Sequence, residues 1–166
     1  LPVMLPPRAA LLTLLVLGAC GPLPPAQQPV TLPAPAQPAG AGDPTRGAIL
    51  ASAFVFGQPR SVAGNPAAAA EALAQLEYLA VELAVGPRSI DMDPLVAPML
   101  AQGRAEARSA FGFDPAASPQ SATDALFAAA AALRAGDRAA AGAALVPLTG
   151  RERAEAALQK LDELPH

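Results

Sequence analysis

The chain has 166 residues, a net charge of -3, one cysteine, one histidine and no tryptophan, which leaves room for one modest domain after any targeting segment. Weak acidity, a single lysine, scattered arginines and few aromatics give no basic stripe, and nucleic acid is disfavoured as a partner. One cysteine excludes an internal disulfide, and about half of the 52% hydrophobic fraction is alanine, so the expected core is one of close-packed helices with small faces.

The first segment runs from Met4 through Arg8 into the apolar stretch Ala9 to Leu17, then Gly18, Ala19, Cys20 and Gly21. A positive residue, an apolar stretch and small residues in that order fit a secretory signal over 1–19. Its apolar part falls short of the roughly 20 residues that span a bilayer. Initiation at Met4, or at an alternative start codon at position 1, is compatible with this reading. The tetrapeptide Leu17-Gly18-Ala19-Cys20 resembles the lipobox of bacterial lipoproteins at every position. The resemblance covers the first 21 residues, and it implies diacylglyceryl transfer to the Cys20 sulfur, cleavage between Ala19 and Cys20, and acylation of the new amino group. A thiol suits that role because its thiolate forms near neutral pH far more readily than an alkoxide. The plainer alternative is an ordinary buried cysteine in an apolar helix.

The implied cofactor is therefore none beyond a covalent lipid on Cys20, and the implied partner is a membrane reached through that anchor. One acyl chain binds marginally and two or more hold stably, so the mature protein is expected to be anchored in the cell envelope facing the periplasm. Gly21 is not the aspartate that retains many such proteins at the inner membrane, so the resemblance favours the outer membrane.

Residues 20–43 hold Pro22, Pro24, Pro25, Pro29, Pro33, Pro35 and Pro38 among Ala, Gln and Gly, with Pro44 next. Proline removes donors and fixes φ, so this stretch is expected to be a disordered, partly polyproline II tether reaching up to about 70 Å. A spacer is favoured over a ligand for a proline-binding module.

From 44 to 166 the punctuation is helical and no β-branched alternation competes, which predicts a compact all-α bundle of five or six short helices. Asp43-Pro44 is a start signal ahead of Ile49, Leu50, Ala53 and Phe54, with Gly57 as the stop. Asn65-Pro66 opens the clearest helix, with Leu73, Leu76, Ala80 and Leu83 on one face, Glu71, Gln75 and Glu82 on the other, and Gly86 behind it. Asp93-Pro94 opens a third, made irregular or delayed by Pro98 and running to about Ala110. Ser118-Pro119 opens a fourth that stops at Gly136, Asp137 caps a fifth expected to end before Pro147, and Thr149 to Glu152 fits a capping box for a last helix through Leu164.

Leu100 to Gly103 and Leu133 to Gly136 share Leu-x-x-Gly at an offset of 33 residues, which resembles the period of a tetratricopeptide repeat without its aromatic and proline positions. That resemblance implies an alternative of partner-binding helical hairpins. Asp91 and Asp93 are too few for a hard cation and are better explained by capping. The sole His166 sits at the terminus, where it neither completes a zinc set nor supports a nucleophile. Phe54, Phe56, Phe111 and Phe113 lie at helix ends and are expected to plug the core beneath loops, or else to form a partner patch.

No catalytic constellation is visible and a small-molecule substrate is disfavoured. The first functional expectation is a lipid-tethered interaction or structural module holding an envelope protein near the membrane, marked by an exposed apolar patch or groove. Its rivals are an anchored enzyme, marked by carboxylates converging in a cleft, and an apolar-ligand carrier, marked by an enclosed Leu- and Phe-lined cavity.

Overall fold

The computed structural model describes residues 27–36 and 42–163. The lipobox, Cys20, Leu164 and His166 lie outside them. Six α-helices and three short 3-10 turns occur among the described residues, with no strand: α1 (Pro44–Gly57), α2 (Pro66–Val85), α3 (Val96–Phe111), α4 (Pro119–Arg134), α5 (Arg138–Thr149) and α6 (Ala154–Asp162). The all-α bundle expected from the sequence is what forms.

The helix starts follow from their caps. Asp43 accepts from the Thr45 N–H at 3.1 Å, Asn65 from Ala68 at 3.1 Å, Ser118 from Ser121 at 3.1 Å and Asp137 from Ala140 at 2.8 Å. Each satisfies a backbone donor that the first helical turn leaves unpaired, and a proline follows three of the four caps. Gly112 at φ 73° ends α3, with Phe113 N–H donating to the Arg108 carbonyl at 2.8 Å. α3 begins at Val96, two residues past Pro94, and takes Pro98 into its first turn, where no backbone donor is needed, while Asp93 accepts from Leu95 N–H at 2.8 Å in the turn before it.

α2 is the hub. It packs on α4, α1, α3 and α6, and it is buried on almost every side rather than on one face. Alanines make that possible, because Ala69, Ala70 and Ala74 meet Ala122, Ala129 and Ala130 of α4 with all six at 0–1% exposure. Leucines of α5 and α6, among them Leu145, Leu148, Leu158 and Leu161, complete this core.

Three expectations need correction. α5 does not end before Pro147 but runs through it to Thr149. A proline in the last turn sacrifices one backbone bond, and burial of Leu148 and Thr149 at 1% exposure offsets that loss. The capping box is also absent: Thr149 closes α5, with its hydroxyl donating to the Leu145 carbonyl at 3.0 Å, Gly150 turns the chain at φ 72°, and α6 starts at Ala154 with no side-chain cap. The two Leu-x-x-Gly copies are not equivalent either, since Gly103 lies inside α3 whereas Gly136 forms the α4–α5 turn at φ 76°.

Nor does the proline-rich stretch act as a free spacer throughout. Residues 27–36 lie on the bundle, with Val30 at 6% and Leu32 at 7% exposure against Tyr78, Leu79 and Val81 of α2. Gln120 of α4 fixes the register by accepting from Thr31 N–H at 2.8 Å and donating to the Thr31 carbonyl at 3.0 Å.

Candidate functional site

α1 buries its small and polar side. Thr45, Ala48, Ser52 and Val55, spaced three and four apart, face the bundle, and the Thr45 hydroxyl lies 2.7 Å from that of Tyr78. The larger residues that the sequence placed on this helix point elsewhere: Leu50 is 61% exposed, Phe54 54%, Phe56 42% and Ile49 37%. One 14-residue helix thus presents four large apolar side chains to water.

Beside them runs a groove. α1 and α3 both pack on α2, and the space between them is about 450 Å³. Leu73 and Leu76 of α2 form its floor. Val55, Phe56 and Pro59 line one wall, and Gly103, Glu106, Ala107, Ala110 and Phe111 the other. Three of the five residues on the α3 wall, Gly103, Ala107 and Ala110, are small and leave room beside α1. Glu106 is held by the Gln102 side-chain amide at 2.8 Å.

The four phenylalanines thus divide. Phe111 and Phe113 are core plugs at 4% and 6% exposure, with ring centroids 5.6 Å apart, while Phe54 and Phe56 are surface residues. Only Phe56 and Phe111 line the groove.

Behind the groove lies an ion pair that sequence reasoning missed. Glu77 of α2 and Arg108 of α3, at 3% and 7% exposure, form a two-pronged pair at 2.6 and 2.8 Å. The remaining Arg108 nitrogen donates to the carbonyls of Pro115 at 3.0 Å and Ala117 at 2.8 Å. A buried carboxylate and guanidinium with every prong satisfied lock α2, α3 and the following turn into one register. The signal was present: Glu77 sits four residues after Leu73 and three before Ala80, on a helix face that otherwise buries apolar groups, and an acid there demands a cation.

No protein-family model matches the chain, and no match is found among curated proteins or solved structures. Among the described residues no three His, Cys, Asp or Glu side chains gather as a metal site would require, and no helix is long and apolar enough to cross a membrane. Tyr78 is buried, and desolvation by that burial pushes its hydroxyl pKa up. The bond to Thr45 opposes the shift, Glu82 adds to it, Arg88 works against it and Asp43 adds to it.

Proposed function

We propose that this chain is the precursor of a bacterial lipoprotein whose mature form, held by a lipid on Cys20, docks an amphipathic helix of an envelope protein in the α1–α3 groove. The tether rests on Leu17-Gly18-Ala19-Cys20 and the apolar stretch before it. One observation carries the docking: an open apolar groove is floored by Leu73 and Leu76 and rimmed by an exposed Phe56. A helix laid there would bury its apolar stripe against exposed Phe56 and the two walls, above a floor that the bundle already covers, the usual way in which a groove reads anchors spaced three and four apart. Confinement near the membrane raises the effective concentration of such a partner without any new contact. Gly21 favours the outer membrane as the site of anchoring.

Gly103 offers a clean test, because a Cβ there meets open space. Gly103→Glu should leave the fold intact and even gain about 0.5–1 kcal/mol of helix propensity, while its side chain fills the groove. A photo-crosslinker placed at Phe56 should capture one defined envelope protein in cells, a crosslinker at exposed Gln159 should not, and Gly103→Glu should abolish the Phe56 adduct. An adduct indifferent to Gly103→Glu contradicts groove docking.

A further inference from the structure

The face of α3 opposite the groove bears a second recess of about 500 Å³, of different chemistry. Its walls are Ala101, Arg104, Ala105, Arg108, Ser109 and Gly112, together with Phe113 and Pro115 of the next turn and Arg153 from the α5–α6 turn. Three guanidinium groups line it and no carboxylate does. Among the described residues only one of the three is neutralised, since Arg108 spends its charge on Glu77.

The acids within reach by sequence are engaged or turned away. Glu106 bonds to Gln102, the Asp114 carboxylate accepts from Ala116 N–H at 2.8 Å, Glu155 and Asp162 pair with Arg138, and exposed Glu152 does not line the recess. Arg153 uses its Nε on the Thr149 carbonyl at 2.9 Å. Arg104 is the decisive residue: its guanidinium is half-buried at the recess wall, with the inner Nη1 bonded to nothing among the described residues and the rest of the group open to a ligand. A guanidinium nitrogen given no acceptor is a standing cost. In a chain of net charge -3, half-buried Arg104 and exposed Arg153, neither ion-paired among the described residues, line one recess and give it a local field of the opposite sign.

We propose that this recess is an oxyanion site, in which Arg104 and Arg153 hold the phosphate or carboxylate group of a ligand. Guanidinium groups suit that task because their planar donors match paired oxygens, and the apolar walls from Ala101, Ala105 and Phe113 would cover a small carbon portion beside the anion. Arg108 stays in the wall, fixed by Glu77, and sets the position of the helix turn that carries Arg104. The site does not depend on what the groove on the other face binds.

The test uses the full chain in neutral detergent, titrated with inorganic phosphate and separately with sodium acetate, against sodium chloride at matched ionic strength. Thermal melting and NMR shifts of the arginine side chains are the readouts. Either oxyanion should raise Tm beyond chloride and shift Arg104 saturably, and Arg104→Met or Arg153→Gln should weaken that response by at least about tenfold. Arg104→Met should also melt higher than wild type without added anion, because the unpaired charge is gone. Competition by phosphatidylglycerol nanodiscs would assign a lipid headgroup as the source, and its absence a soluble anion. The proposal is overturned if chloride acts as strongly as both oxyanions, or if the Arg104→Met, Arg153→Gln double variant responds undiminished.

Discussion

Two buried polar residues, Glu77 and Tyr78, set what the bundle tolerates. Removing one member of a buried, fully bonded pair leaves a desolvated charge, so Glu77→Leu should cost about 3–5 kcal/mol in chemical denaturation. Adding Arg108→Met should restore only part of that, because the carbonyls of Pro115 and Ala117 lose their donor as well. A double variant no better than the single would contradict the pairing. Tyr78 is the sole tyrosine in a chain without tryptophan, so its absorbance titration is read without interference. Its folded pKa lies above the unfolded value of about 10, so the stability tied to it is fully present below pH 10. That contribution is lost as pH rises through the folded value. Ionisation of the native protein at or below pH 10 would show that Tyr78 is not buried against Thr45.

At the scale of elements, helix starts were legible because Asp43, Asn65, Ser118 and Asp137 each act within three residues of themselves. What misled were features decided by packing. Pro147 reads as a stop, yet Leu148 draws the helix past it into the core. Thr149 and Glu152 spell a cap, yet Thr149 is consumed by the helix before. Glu77 was hidden by its neighbours on an apolar face, and the exposure of Phe54 depends on which side of α1 meets α2, which alanine-rich sequence does not specify. The stretch around Val30 and Leu32 was obscured by proline composition, although two apolar residues two apart in an extended chain can share one buried face. Leu32→Ser should release residues 27–36 while α2 and α4 keep their protection in hydrogen exchange. Unchanged protection of Thr31 in that variant would mean that Leu32 does not hold the segment down.

For the whole molecule, the packed 27–36 segment bears on the proposed tether: the chain meets the bundle well before Pro44, so a lipid on Cys20 would give the domain less reach than a spacer over 20–43. The groove and the arginine recess lie on opposite faces of α3, so a partner in one leaves the other open. The proposed docking gives the domain work near a membrane, and that setting depends on Cys20. It is tested most directly by the intact mass of the protein extracted from membranes, wild type beside Cys20→Ala. The wild type should begin at Cys20 and carry the added mass of a diacylglyceryl group and an acyl chain, and Cys20→Ala should carry neither. A wild-type chain that bears no lipid, or that still retains residues 4–19, would contradict the account.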